Sequence, residues 1–155
     1  MNIRNITFIS FGNFDISFLE PIGQEVERNL FSKTQIKQAN IDLSEFYDFN
    51  RNQYNANSIL KHIEQRFSND TCKTIGLLNV DLFIPIFTYI FGQAYFNGNS
   101  GIASAFRLQN ERYGLNPDKS IFFKRFIKEI IHELGHMFGL YHCYVPDCVM
   151  RSSTY

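Results

Sequence analysis

The stretch HELGHMFGLYHCYVPDCVM, residues 132–150, contains the most informative pattern in this chain of 155 residues. His132 and His136 are four positions apart, which places both imidazoles on one face of a helix, one turn from each other. Gly139 can end that helix in a sharp turn, because glycine adopts the left-handed conformation at little cost. His142 can then approach the same point, so the pattern predicts a metal centre at the end of a helix.

The residue types at this centre indicate its chemistry. Imidazole nitrogen suits zinc, and three protein ligands leave one coordination position for water. Glu133 directly follows the first histidine, and in an H-E-x-x-H helix this carboxylate takes the proton of the metal-bound water. A lone H-E-x-x-H can also be two surface histidines, but here three of the four histidines of the chain fall within eleven residues. We therefore expect one catalytic zinc ion per chain, held by His132, His136 and His142.

Upstream of this helix, apolar spacing predicts alternating strands and helices. The predicted strands are residues 3–11, 34–41 and 74–80, and the predicted helices are residues 19–31 and 58–67. The Asn-rich segment 47–58 is typical of a loop that leads into a helix. The β-α-β-α-β order favours a parallel sheet with crossover helices.

The pattern changes after residue 86. Residues 87–96 and 102–108 are two strand-like runs joined by NGNS, which is rich in turn formers and favours antiparallel pairing. The last helix is expected to begin with Asn116 as its cap and Pro117 at its first position, with Asp118 favourable to the helix dipole. The fold class is therefore α/β, as one domain over residues 1–155.

Composition argues against several classes of partner. Acidic and basic residues balance at 15 each, which does not indicate binding to nucleic acid or to an anionic membrane. No stretch has the length of a membrane span, and residues 1–10 lack the core of a signal peptide. Three cysteines make a poor disulfide framework, so a reducing cytoplasm is the expected location.

The sequence also resembles a known family. HELGHMFGLYH matches H-E-x-x-H-x-x-G-x-x-H, the zinc signature of the metzincin metallopeptidases. The continuation CYVPDCVM resembles the archaemetzincins within this clan, and FGQAYF followed by GIASAFRL resembles the stretch before their active-site helix. The resemblance covers the chain well from about Leu77 onward and covers the first half by general architecture.

This resemblance implies a fold and roles for individual residues. The fold would be a twisted, mostly parallel sheet of about five strands, with one antiparallel edge strand and three helices. Glu133 would act as general base and acid, and Met150 would be the methionine of the Met-turn, an apolar floor beneath the zinc. Metzincins bind an extended peptide by strand addition, so residues 91–96 would be the edge strand, with Gly92 and Ala94 as peptide contacts.

The two cysteines depart from the family pattern. Archaemetzincins typically have a C-x-x-C pair downstream, which joins the equivalents of Cys143 and Cys148 in a second, structural zinc site. The present sequence ends five residues after Met150 without such a pair, so this second site is expected to be incomplete. We favour free thiols in a monomer over a local disulfide, or over a zinc ion shared by two chains across a two-fold axis.

The sequence leaves three functions open. The first is a zinc peptidase with a peptide or protein substrate, in which Glu133 activates the zinc-bound water. The second is a metal-dependent ribonuclease with histidines at the same offsets, but such enzymes lack the glutamate and need a basic cleft. Arg125 and Lys128 precede the histidines, yet Glu129 lies among them and the net charge is zero. The third is a non-catalytic zinc-binding module that recognises peptides.

Overall fold

Helices and strands alternate along the residues that the computed structural model describes, which are 5–12 and 14–152. The elements are β1 (Asn5–Phe11), α1 (Ile16–Leu30), β2 (Thr34–Ala39), β3 (Tyr47–Asp48), β4 (Gln53–Asn55), α2 (Ala56–Phe67), β5 (Cys72–Leu78), β6 (Leu82–Phe83), β7 (Gly92–Ala94), β8 (Ser100–Ser104) and α3 (Lys119–Met137). The predicted α/β class with three helices is confirmed. Residues 3 and 4 of the first predicted strand lie outside the described residues.

The main sheet has five strands in the order β2-β1-β5-β8-β7. The first four strands run parallel, and β7 pairs antiparallel with β8 at the edge of the sheet. The predicted antiparallel edge strand is therefore confirmed. It is shorter than the expected residues 91–96, because β7 comprises only Gly92–Ala94. The predicted strand over 102–108 ends at Ser104, and residues Phe106–Leu108 form a 3-10 turn.

The sheet separates two apolar clusters because successive side chains of a strand point to opposite faces. In β1, Ile6 and Phe8 pack with α1 and α3 on one face. Ile9 and Phe11 pack with α2 on the other face. This alternation places α3, which carries the predicted metal ligands, against β8 and β7 at one edge of the sheet.

A second, small sheet was not predicted. The Asn-rich segment expected to be a loop contains the hairpin of β3 and β4, and β6 completes a three-stranded sheet in the order β3-β4-β6. Asp48 Oδ1 accepts hydrogen bonds from the amides of Asn50 and Arg51, at 2.9 and 3.1 Å, and Asn52 adopts the left-handed conformation. Asparagine and aspartate stabilise tight turns in this way, so the composition indicated a turn between two very short strands.

The start of α3 differs from the prediction, whereas its end agrees. Asp118 is the N-cap, and its carboxylate accepts a hydrogen bond from the amide of Ile121 at 3.0 Å. The expected cap, Asn116, and Pro117 therefore lie before the helix. At the other end, Gly139 has a φ of +90° and its amide bonds the carbonyl of His136, so the chain turns where predicted. No helix in the described ranges combines the length and the apolar character needed to span a membrane.

Candidate metal centre

The structure brings the three predicted metal ligands together. His132 and His136 lie one turn apart on α3, and their Nε2 atoms are 3.1 Å from each other. His142 follows the turn at Gly139, and its Nε2 atom lies 3.2 Å from that of His136. Within the described residues, these side chains form the one group of three or more histidine, cysteine or carboxylate residues that could hold a metal ion.

Backbone carbonyls fix the orientation of two of these imidazoles. Nδ1 of His132 lies 2.8 Å from the carbonyl oxygen of Val149, and Nδ1 of His136 lies 2.9 Å from that of Leu140. Because a carbonyl oxygen only accepts, each Nδ1 carries the hydrogen, and in the neutral ring the lone pair is left on Nε2. Two bare lone pairs at 3.1 Å repel each other, and a cation between them removes this repulsion. The donor set therefore fits a zinc ion.

The surroundings of the histidines favour their neutral, metal-binding form. Burial lowers the pKa of His132, and the neighbouring histidines lower it further, although the hydrogen bond with Val149 acts in the opposite direction. Burial also lowers the pKa of His142, with a further contribution from His136. Metal binding requires deprotonated imidazoles, so both shifts reduce the competition between protons and a metal ion.

Glu133 is buried, with 5% of its surface exposed, and it packs against the edge strand. A Cβ atom on Gly92 would lie 2.9 Å from both Cγ and Oε1 of Glu133, and 2.6 Å from the carbonyl oxygen of Ile102. Position 92 therefore has to be glycine for the carboxylate to lie beside β7. Burial raises the pKa of Glu133 well above its usual range, and the charge of Glu129 adds to this shift. A cation at the three histidines would act in the opposite direction.

Met150, which was predicted to form the floor of the metal centre, is buried, at 4% exposure. A Cβ atom on Gly135 would overlap its sulfur atom, so the methionine lies directly against the backbone of α3. Its own carbonyl accepts a hydrogen bond of 3.0 Å from the amide of Cys143. The importance of Gly135 was missed in the sequence. The available signal was a glycine in the interior of a helix, which is unfavourable unless close packing requires it.

Two further residues that the sequence did not indicate hold the end of α3. The amide of Asn97, in the turn between β7 and β8, donates to the carbonyl of His136 at 2.8 Å. The ammonium of Lys73, whose side chain is buried, donates to the carbonyl of Gly98 at 2.7 Å and to Oδ1 of Asn99 at 3.2 Å. The turn is thus fixed on one side by β5 and on the other side by the helix that carries the ligands.

A cleft of about 760 Å³ runs along β7 and opens onto the metal centre. Its walls include the predicted peptide contacts Gly92 and Ala94, which are half-exposed, together with Glu129 and Glu133 of α3. Among the described residues, β7 pairs with β8 alone, so its other edge faces this cleft. Lysine and arginine are absent from the described residues of the wall, which does not match the basic cleft that a ribonuclease needs.

Cys143 and Cys148 carry free thiols in the loop that follows the third histidine. The pKa of Cys143 is lowered by the backbone hydrogen bond from Val145 and then by a hydrogen bond with Cys148. Cys143 and Cys148 lie five residues apart in this loop. The described residues bring no third histidine, cysteine or carboxylate ligand to them.

Comparisons with known proteins point to one family. The sequence model of peptidase family M54 matches residues 10–155. The archaemetzincin of Pyrococcus horikoshii is 40% identical over 120 residues, which are 74% of this chain and 63% of that protein. The archaemetzincin of Methanocaldococcus jannaschii is 38% identical over 110 residues, which are 70% of this chain and 58% of that protein. This chain thus spans less than two thirds of the length of these curated relatives.

Solved structures extend the similarity to the whole fold. The crystal structure of archaemetzincin from Methanopyrus kandleri superposes with a TM-score of 0.83 at 29% identity, covering 99% of this chain and 83% of that chain. A zinc-dependent peptidase from Methanocorpusculum labreanum superposes with a TM-score of 0.79, also at 29% identity, covering 94% and 87% of the two chains. The resemblance to the archaemetzincins is therefore confirmed, and the chain belongs to peptidase family M54.

Proposed function

We propose that this protein is a zinc-dependent peptidase. The observation that carries the proposal is the convergence of three histidine Nε2 atoms beside Glu133, at the open edge of a sheet. The family supports it, because the chain belongs to peptidase family M54 and a structural relative is described as a zinc-dependent peptidase.

His132, His136 and His142 would hold the zinc ion through Nε2. When bound, zinc supplies Lewis acidity, which activates a water molecule and polarises the carbonyl group of the scissile peptide bond. The backbone carbonyls of Val149 and Leu140 keep two of the imidazoles in the tautomer that this role requires. Met150 supplies an apolar floor and is not a ligand.

The peptide substrate would bind as an additional strand along β7. Amides and carbonyls of an edge strand can pair with an extended peptide, and Gly92 and Ala94 would provide such contacts. Because Gly92 lies directly against Glu133, a peptide bond held at this position lies beside the carboxylate. Strand pairing would thereby orient the substrate before the reaction begins.

Glu133 would transfer the proton. A carboxylate oxygen accepts the proton of the attacking water and later donates it to the nitrogen of the leaving amine. Its burial limits exchange of this proton with bulk solvent, and its contact with β7 keeps it close to the peptide.

The test combines a diverse peptide mixture with one conservative variant. Zinc-loaded protein should cleave peptides, as read by mass spectrometry, and Glu133→Gln should keep one zinc ion per chain while cleavage is lost. Glu45→Gln removes the same charge from an exposed position outside the cleft and should cleave normally. Full activity in Glu133→Gln would refute the assignment of the base. A zinc-loaded wild-type protein that cleaves no peptide would refute the function.

A further inference from the structure

Two aromatic side chains of the cleft wall stack on each other just beyond the end of β7. The ring centroids of Phe96 and Tyr141 lie 4.6 Å apart, and the ring planes differ by 28°. Both residues line the cleft, and they remain 48% and 77% exposed. An exposed apolar surface inside a binding cleft is typical of a surface that a ligand covers. The hydrolysis proposed above gives this aromatic pair no role.

The aromatic pair is attached to the two chain segments that position the metal ligands. Tyr141 directly precedes His142, the third predicted ligand. Phe96 directly precedes Asn97, whose amide donates a hydrogen bond of 2.8 Å to the carbonyl of His136. The two rings thus connect the turn after α3 with the turn after β7. A surface that is already ordered in this way loses little conformational entropy when a side chain binds to it.

The free edge of β7 leads a bound peptide toward this pair. The carbonyl of Phe91 and the amide of Tyr95, on either side of β7, both bond the backbone of β8. Because backbone groups point to opposite sides at successive residues of a strand, those of Gly92 and Ala94 face away from β8. A peptide that pairs with Gly92 and Ala94 therefore continues toward Phe96.

The geometry of an extended chain indicates which part of the substrate reaches the pair. Gly92 lies against Glu133, so the scissile bond is expected beside position 92. Phe96 is four residues further along the chain. An extended strand advances about 3.3 Å per residue, so a substrate residue roughly two to four positions from the scissile bond would lie beside the rings.

The acidic side chains and histidines of the wall have roles or partners of their own. The three histidines would hold zinc, and Glu133 would transfer the proton. Glu129, the second carboxylate of the wall, interacts with other groups of the fold. The aromatic pair offers a substrate a different kind of contact, because its surface consists of apolar carbon atoms and the faces of two π-systems.

A flat aromatic ring is the side chain that matches this surface best. Stacked rings stabilise each other beyond the burial of apolar area, so a ring binds there more tightly than an aliphatic side chain of similar size. This additional stabilisation corresponds to a preference of about 2- to 10-fold for phenylalanine over leucine. Lysine or arginine can also lie over a ring face, but at an exposed site the charge stays hydrated and the attraction is weak.

We propose that Phe96 and Tyr141 form a specificity subsite that binds an aromatic side chain of the peptide substrate. This side chain belongs to the segment of the peptide that runs past Ala94, roughly two to four residues from the scissile bond. The inference rests on the proposed peptidase function. It identifies the preferred substrates as peptides with phenylalanine, tyrosine or tryptophan in that segment.

Cleavage of a diverse peptide mixture by the zinc-loaded protein tests the inference directly. Mass spectrometry gives the frequency of each residue type at each position around the cleaved bonds, relative to the uncut mixture. Phenylalanine should exceed leucine about 2- to 10-fold at a position two to four residues from the bond. Tyr141→Leu and Phe96→Leu keep an apolar side chain but remove a ring, so each should reduce this ratio. The double variant should bring the ratio to about onefold.

Tyr144→Leu is the matched control for these variants. Tyr144 lies in the same loop as Tyr141 and is 89% exposed, but it does not belong to the cleft wall. Its replacement should leave the ratio of phenylalanine to leucine unchanged. Zinc content and the thermal unfolding midpoint should show that all variants are folded and loaded.

Binding provides a second readout that does not require turnover. Zinc-loaded Glu133→Gln protein is titrated with blocked peptides, in pairs that carry phenylalanine or leucine at each position of the predicted segment. The ratio of the two Kd values should show the same preference as cleavage. Adding Tyr141→Leu should reduce this ratio, whereas adding Tyr144→Leu should preserve it. Because the ratio compares two peptides on one protein sample, a partly inactive preparation does not alter it.

The outcomes separate the inference from the function on which it rests. Cleavage without an aromatic preference in the predicted segment would overturn the inference alone, as would a preference that survives the double variant. A preference for lysine or arginine there would overturn the assignment to an aromatic side chain. An equal loss of affinity for both peptides in Tyr141→Leu would assign the pair a structural role instead. If no peptide is cleaved or bound, the proposed function fails and the inference fails with it.

Discussion

The sulfur atom of Met150 occupies the space that a side chain on Gly135 would need. Gly135 lies between His132 and His136 on α3, so the methionine packs against the helix backbone in the same turn that carries these two predicted ligands. The neighbouring carbonyl of Val149 bonds the imidazole of His132. The turn around Met150 and the helix therefore position the same ligand from two sides.

Gly135→Ala should destabilise the protein, although alanine normally stabilises a helix by about 0.5–1 kcal/mol relative to glycine. The added methyl group forces Met150 out of its site, and overpacking of this kind costs about 1–3 kcal/mol. Urea unfolding measures the sign directly. Combining the change with Met150→Ala should give a double variant that is more stable than the sum of the single effects predicts. Stabilisation by Gly135→Ala alone would show that the methionine does not lie there.

Gly92→Ala should lower kcat by about 10- to 100-fold, because a new Cβ atom displaces the carboxylate of Glu133 or moves β7. The three histidines are untouched, so one zinc ion per chain should remain bound. Steady-state kinetics with metal analysis on the same sample separate these two effects. A variant that keeps both its zinc and its full kcat would contradict the close contact between position 92 and Glu133.

Removal of zinc by a chelator should lower the unfolding midpoint. The ion neutralises the repulsion between Nε2 atoms that lie 3.1 and 3.2 Å apart, and a ligand at 1,000 times its Kd adds about 4 kcal/mol to the free energy of unfolding. Differential scanning calorimetry with and without zinc measures the shift. Glu133→Gln should show the full shift because Glu133 is not a ligand, whereas His142→Ala should show little. An identical midpoint with and without zinc would argue against a metal at this site.

The site residues that could be predicted from the sequence lie close to one another along the chain. His132, Glu133 and His136 lie within one helical turn, and the turn at Gly139 fixes where the third histidine can go. The apolar spacing of the first half also predicted its alternating strands and helices, because each element buries a regular set of side chains. That alternating order in turn predicted the parallel pairing of the first strands.

The remaining features depend on contacts between residues that are far apart in the sequence. The spacing of residues along the chain does not predict such contacts. Lys73 precedes the turn it holds by some 25 residues, and nothing in its neighbourhood distinguishes a buried lysine from an exposed one. β7 is short because only Gly92–Ala94 pairs with β8, although the apolar run around it is longer. Gly135 is an ordinary helix position by its spacing, and only the contact with Met150, 15 residues further along the chain, excludes a side chain there.

Lys73→Met should reduce both stability and zinc affinity. Methionine is of similar length but cannot donate, so the carbonyl of Gly98 loses a hydrogen bond of 2.7 Å in a buried region. Loss of a partner for a buried polar group costs about 1–3 kcal/mol.

The loss should extend to the metal centre through the turn that Lys73 holds. The backbone amide of Asn97, in this turn, donates a hydrogen bond to the carbonyl of His136. If the turn becomes mobile, this hydrogen bond weakens and the end of α3 that carries His136 is held less firmly. Urea unfolding and competition with a zinc chelator measure the two effects, and Lys61→Met, at an exposed position on α2, is the matched control. If Lys73→Met lowered stability but bound zinc as tightly as the control, the turn would support the fold without positioning His136.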